Sequence, residues 1–230
     1  MYFIVEELDP LNWDLDTYYD DAEGLTGEQL LSALRTIVNT GFIGINYGDS
    51  RYILDDTDAD PNIPGNVILV YRQTSVDGTW DEGSTWNREH VWPQSLLGTD
   101  VANSTISIGT DLHNLKPANP SENSSRGNEY FDNIDTGSTY EPPDEVKGDI
   151  ARILFYMIVM YDYLNLVDDV PELHEMALLG VLLSWHEADP VDAFEENRNE
   201  VIYSYQNNRN PFIDYPHFVE MIFENHVYYN

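Results

Sequence analysis

The 230-residue chain has no cysteine, only two lysines (Lys116 and Lys147) and no apolar run long enough to cross a bilayer. Each absence closes a class of protein. Without thiols there is no disulfide scaffold, no thiolate zinc or iron–sulfur centre and no cysteine nucleophile. A membrane helix needs roughly 18 or more apolar residues, and the longest run here, residues 153–160, sits between Arg152 and Asp162 and reads as a core helix. Positive charge is also scarce, with 10 basic side chains against 42 acidic ones and a net charge of −32. Taken alone, that balance argues against a nucleic-acid partner, because a polyanion repels an acidic protein. Nor is a secretory signal read, since Met1-Tyr2-Phe3-Ile4-Val5 runs straight into Glu6 and Glu7 with no basic n-region. What is abundant is packing material, 42% hydrophobic and 13% aromatic, which excludes disorder.

The pattern along the chain predicts an α+β protein, a mostly helical frame around a short β-containing insert, in a single domain over residues 1–230. A first helix is expected over Gly27–Asn39, with Thr26 and Gln29 as a capping box and Gly41 as the stop. Residues 66–71 are β-rich, and residues 72–140, rich in Gly, Ser, Asn and Pro, are either a long ordered functional region or a linker. Beyond Pro143 the spacing predicts helices. Asp149 caps one that carries Ile150, Ile153, Leu154, Met157, Ile158 and Tyr161 on one face; Pro171 opens another; Asp189-Pro190 starts a third; a short one follows Pro216. The helical part covers about 144–230. The loop containing Asp56, Asp58 and Asp60 has the alternate acids of a calcium loop, but Pro61 stands where glycine is required and Val67 where glutamate is, so it reads as a solvated acidic turn.

Two stretches carry the chemistry: Trp86-Asn87-Arg88-Glu89-His90-Val91-Trp92-Pro93, and Asp111-Leu112-His113-Asn114-Leu115-Lys116-Pro117-Ala118 with Asn123 and Arg126 beyond it. The surrounding residues 84–131 hold three basic and five acidic side chains, leaving −30 for the rest of the chain, which suits a groove for an anion. A histidine beside a carboxylate offers a base near neutrality and a hard oxygen ligand. Magnesium takes few protein ligands and completes its shell with water and phosphate, so Glu89 and Asn123 suffice for a sparse site. His90 could then deprotonate a water for attack on phosphorus, with the metal stabilising the leaving oxygen and Arg126 and Lys116 holding phosphate. Neighbours on a regular strand face opposite ways, so Glu89 and His90 share a pocket only if the strand ends there, as Pro93 suggests. His113 reads equally as a core histidine or as support behind the site, and Asn114 as a residue satisfying loop backbone.

These stretches resemble the bacterial endonuclease I family, secreted or periplasmic non-specific nucleases of the His-Me finger (ββα-metal) class. Tyr18-Tyr19, Ala22-Glu23-Gly24-Leu25-Thr26-Gly27, Trp185-His186, Asp189-Pro190-Val191, Arg198-Asn199 and the run from Asn208 to Asp214 extend the likeness over nearly the whole chain. The resemblance implies a β-hairpin and helix, within about 84–131, around one Mg²⁺ (Mn²⁺ or another hard divalent ion being alternatives). It implies His90 as general base, Glu89 and Asn123 as metal ligands, and Arg126 as a phosphate contact on the face of Asn123. The expected reaction is cleavage of DNA, and of RNA as a second substrate, to 5′-phosphate ends, with no membrane and no protein partner.

The chain departs from that family in lacking both the disulfides of some members and any arginine or lysine between Val91 and Thr110. The phosphate-steadying role then falls to Arg126, Arg88 or Arg209, or stays unfilled. The rival reading is an inactive nucleic-acid-binding module of the same fold. The charge itself is reconciled by salt: at about 1 M the Debye length is roughly 3 Å, so distant acids no longer repel DNA. The composition then predicts a salt-adapted, halophilic-type nuclease.

Overall fold

The computed structural model describes residues 17–227, with side chains described through residue 223, so the N-terminal stretch read for a secretory signal lies outside the described residues. After a single 3-10 turn the chain forms α1 (Gly27–Asn39), then the short helices α2 (Tyr47–Ser50) and α3 (Leu54–Thr57). The middle holds β1 (Asn66–Ile68), β2 (Ser75–Asp77), β3 (Asn87–His90), α4 (Gln94–Leu97), β4 (Leu115–Ala118), α5 (Pro120–Arg126), β5 (Tyr130–Phe131) and β6 (Thr139–Tyr140). The last third is α6 (Lys147–Met160), β7 (Asn165–Val167), β8 (Glu175–Ala177), α7 (Leu179–Ala188), α8 (Ala193–Gln206), α9 (Pro211–Asp214) and α10 (Phe218–Val227). The fold is α+β, and residues 72–140 are ordered structure, not a linker.

The strands pair two by two: β1–β2 and β3–β4 antiparallel, β5–β6 and β7–β8 parallel. None of these small sheets could bury a core alone. The core is built instead on α6, where residues 150–160 are all buried, between α1, α7 and α9. The expected single apolar face is thus a helix enclosed all round, as its almost unbroken apolar sequence requires. Asp149 does not cap it; Val146 is the cap position and Asp149 lies in the first turn. Gly148 is required there, because a Cβ would stand 2.1 Å from the Asp189 carbonyl. Arg152, wholly buried in α6, is matched by Glu195 of α8 through bonds of 2.7 and 2.5 Å.

Three other expectations are corrected. Thr26 makes no capping hydrogen bond: Gly27 takes φ +54°, which turns the threonine away from the first amides. Residues 171–177 are not helical, because Glu175–Ala177 is drawn into the β7–β8 ladder, and α7 begins only at Leu179. The cap of α8 is Asp192, which accepts from the amides of Phe194 and Glu195, and not Asp189.

The acidic turn is not solvated either. Asp58 is fully buried and accepts from Lys116 Nζ at 2.8 Å, Arg198 Nε at 3.1 Å and Thr57 Oγ1 at 2.8 Å. Its two cations hold its carboxyl below the usual range against the cost of burial. It therefore serves as an internal counterion that ties β4 to α8.

Candidate nuclease active site

The site is the β3–β4 hairpin with α5 laid across it. Trp86, packed with Leu54, Val67, Leu69 and Leu115, anchors the start of β3. The antiparallel register sets Glu89 opposite Lys116 and His90 opposite Leu115. Helix α5 starts at Pro120, where a missing amide costs nothing, and Asn119 caps it by accepting from the amides of Ser121 and Glu122. Asn123 and Arg126 both face β3. A cleft of about 220 Å³ opens at this junction, and its walls include Arg88, Glu89, His90, Gln94 and Asn123.

His90 ends its strand, and its ring is fixed at both nitrogens. Nε2 lies 2.8 Å from the Gly109 carbonyl oxygen, which can only accept, so Nε2 carries the proton and Nδ1 the lone pair. The Gln94 amide nitrogen is 3.3 Å from Nδ1, and the ring stacks on Tyr47 with centroids 5.6 Å apart. Burial lowers its pKa to about 4, against the opposing pull of the Gly109 carbonyl. The ring is therefore an unprotonated acceptor throughout the neutral range. From the sign of this shift, kcat/KM should stay level as pH falls through 6.5 and decline only towards about 4, where Nδ1 takes up its proton. A pH–rate profile with its acid limb at 6–7 would contradict this.

Glu89 is held by several donors. Oε1 accepts from Tyr71 Oη at 2.6 Å and from Arg126 Nη1 at 2.8 Å, and the His90 backbone N–H adds to the stabilisation of the carboxylate. Burial raises its pKa, and Arg126 and Tyr71 act in the opposite direction. Asn123 is oriented equally firmly: its Nδ2 donates to Asn87 Oδ1 at 2.9 Å and to the Arg88 carbonyl at 3.3 Å, which leaves Oδ1 for the cleft. Glu89 Oε2 and Asn123 Oδ1 are both hard oxygens. Among the described residues no group of three or more His, Asp or Glu is placed to hold a metal ion. This donor set fits a hydrated hard cation that needs few protein ligands, and does not fit zinc.

The remaining sequence candidates fall elsewhere. Arg126, expected as a phosphate contact, is turned inward: it is 1% exposed and donates to Glu89, to the His90 carbonyl at 3.0 Å and to the Val91 carbonyl at 2.9 Å. Sharing the face of Asn123 placed it inward, because that face lies on β3. Lys116 is 2% exposed and belongs to Asp58, and Arg209 is held by Asp214 and Glu200 beside a different groove. His113 is fully buried against Tyr156, with ring centroids 4.2 Å apart and no hydrogen bond to either ring nitrogen; it does not line the cleft. Asn114 clasps Trp92 through both amide atoms, at 2.7 Å to its N–H and 3.1 Å to its carbonyl, and so holds the chain leaving His90. Of the three cations in residues 84–131, only Arg88 reaches the cleft.

Sequence reasoning missed Gly109, Tyr71 and Gln94. The Gly109 carbonyl is aimed by a 3-10 turn whose cap Ser107 and residue Thr110 bond reciprocally, and that Ser-x-x-Thr spacing was a readable signal. No side-chain pattern could reveal a backbone acceptor.

Comparison with known proteins agrees with this geometry. The family model for Endonuclease I matches residues 26–217. The extracellular ribonuclease of Bacillus amyloliquefaciens is 43% identical over 232 residues, covering 91% of this chain and 78% of the relative. The extracellular ribonuclease of Bacillus subtilis (strain 168) is 43% identical over 234 residues, with 91% and 79% covered. Endonuclease-1 of Buchnera aphidicola subsp. Acyrthosiphon pisum is 28% identical over 121 residues, 46% of this chain and 45% of that protein. The chain belongs to the endonuclease I family and is a nuclease.

Proposed function

We propose that this chain is an endonuclease that hydrolyses phosphodiester bonds in both DNA and RNA to 5′-phosphate ends, with His90 as general base and one hard divalent cation, Mg²⁺ or Mn²⁺, held by Glu89 and Asn123. The observation that carries this reading is the His90 ring, locked through Nε2 on Gly109, on the same cleft as the side-chain oxygens of Glu89 and Asn123. His90 Nδ1 takes a proton from water as its oxygen attacks phosphorus; the bond from phosphorus to O3′ breaks, leaving a 3′-hydroxyl and a 5′-phosphate. A bound divalent cation supplies charge neutralisation at the phosphate and the departing oxygen. Gln94 and Tyr47 keep the ring from turning, and Arg88 is the guanidinium on the cleft wall. Such a site reads the backbone and not base edges, so no sequence specificity is expected.

Plasmid and RNA incubated with Mg²⁺ should be cut, EDTA should stop both reactions, and the ends should accept labelled phosphate only after phosphatase treatment. Asn123→Ala should raise the half-saturating Mg²⁺ concentration by at least about tenfold, since even partners behind the ligands are worth 10- to 100-fold. An unchanged metal dependence removes Asn123 from the ligand set.

The acid excess supports a nuclease adapted to salt. Seven of the ten cations are taken by carboxylates, which leaves little positive charge to draw a polyanion from a distance. At about 1 M salt the self-repulsion is screened and short-range contacts decide binding. Activity should rise with NaCl on DNA and on RNA; a maximum below about 0.1 M, where the Debye length is still about 10 Å, would refute the adaptation. Secretion is part of the proposal, supported by the names of the two Bacillus relatives. No helix among the described residues is long and apolar enough to cross a membrane.

A further inference from the structure

All ten cations of the chain lie among the described residues, and three of them make no ion pair with a described residue: Arg35, Arg51 and Arg88. Arg35 is used on the carbonyls of Ile158 and Val159 at the end of α6. Arg51 and Arg88 are neighbours of like charge; Arg88 Nη1 donates to the Tyr47 carbonyl and to Ser50 Oγ, which fixes the guanidinium in place. In a chain with 42 acids, two adjacent guanidiniums without a carboxylate in contact are not short of potential partners. Glu82, exposed, acts on Arg88 only from beyond contact distance. Two like charges kept together beside a reacting centre favour an anion between or upon them.

Aromatic rings separate these cations. Arg88 Cζ lies 3.6 Å over the Tyr47 ring and 5.2 Å from that of Trp80; Arg51 Cζ lies 4.9 Å over Tyr52 and 6.0 Å from Trp80. Tyr47 in turn stacks on His90. Arg51 Nε and Trp80 Nε1 are both shielded from solvent without a hydrogen-bond partner, and Tyr52 is 56% exposed. A continuous track of rings and guanidiniums thus leads from an open tyrosine to the catalytic histidine.

The geometry points to a subsite for an unpaired nucleotide next to the scissile phosphate: Arg51 and Arg88 hold its phosphate, and Trp80 and Tyr52 stack its base. This rests on the nuclease reading of the His90 cleft and adds the substrate class. Any base offers a π-face to such a track, so stacking is tolerant of sequence, but a base inside a duplex cannot reach the rings. Stacking and cation–π contacts act at short range, so they persist in the salt that screens distant charge.

The test uses the slowly cleaving His90→Ala variant as the binding background in Mg²⁺ buffer and measures, by fluorescence polarisation within a time too short for cutting, the Kd of a fluorescein-labelled 12-mer oligothymidylate and of a blunt hairpin duplex. Adding Arg51→Gln or Tyr52→Ala should weaken binding of the unpaired probe by about tenfold, within the range of stacking losses, and of the duplex by less than about half that factor. Tyr52→Ala is a surface change, whereas Arg51 is half-buried and Trp80→Ala, a third variant, removes packing against Trp86, so the melting curves of the Arg51 and Trp80 variants must match the parent. Unchanged Kd for the unpaired probe, or equal weakening for both probes, overturns the subsite. Cutting of the probe by His90→Ala as fast as by the parent overturns the general-base assignment instead, and the same Kd comparison is then made with a phosphorothioate-linked probe.

Discussion

His90→Ala lowers the turnover number on plasmid and on RNA by about 10²–10⁴, the usual worth of a positioned general base. The ring cannot be replaced by its neighbours. Gln94 and Asn123 are amides with no basic nitrogen, and Glu89 already gives one oxygen to Tyr71 and Arg126. The effect should fall on kcat and leave oligonucleotide affinity near that of the parent, because the imidazole acts on water and not on the strand. His90→Gln, which can still donate to the Gly109 carbonyl, should restore folding stability lost by the alanine variant without restoring turnover. Single-turnover rates and melting curves for the pair separate the two contributions. If His90→Ala degrades nucleic acid as fast as the parent, the base lies elsewhere.

Arg126→Met destabilises the protein by about 3–5 kcal/mol, the cost of breaking a buried ion pair from one side. For a chain of this size, that is a fall in Tm of roughly 6–20 °C. The methionine fills the volume, but Glu89 is left as a buried carboxylate with no cation beside it, and the carbonyls of His90 and Val91 lose their partner. An arginine that merely touched phosphate would give the opposite pattern, lost activity with an unchanged Tm. The double variant Arg126→Met, Glu89→Gln removes the uncompensated charge and should recover part of the loss. Thermal denaturation at one fixed NaCl concentration measures all three; a Tm within 2 °C of the parent for Arg126→Met would show that the pair contributes little.

How far the sequence could be read depended on whether the decisive partner was near in the chain. Helix α1 runs over Gly27–Asn39 as its spacing predicts, since leucines on one face and Gly41 at the end are local facts. The hairpin and helix were legible as the segment that carries the motifs, and Glu89, His90 and Asn123 meet on one cleft. What could not be read was which cations the fold consumes. Arg126, Lys116 and Arg209 carry the same charge as Arg88 in a sequence, and only the positions of Glu89, Asp58 and Asp214 in space decide that they are bound internally. Asp58 looked like a solvated acid for the same reason. Helix α7 was misplaced because apolar residues at 173 and 176 fit a helical period, while Met176 is in fact buried by a two-strand ladder and Leu173 is exposed.

The clasp at Asp58 also governs the order of folding. Arg198 joins Asp58 across 140 positions of chain and donates to the carbonyls of Leu112 and Leu115, on either side of the turn into β4. Contacts so distant in sequence form late, because the loop between them must close first. The turn into β4 therefore receives this support only once α8 has docked. On the ribosome, a chain lacking that helix has Lys116 and Asp58 without their third partner.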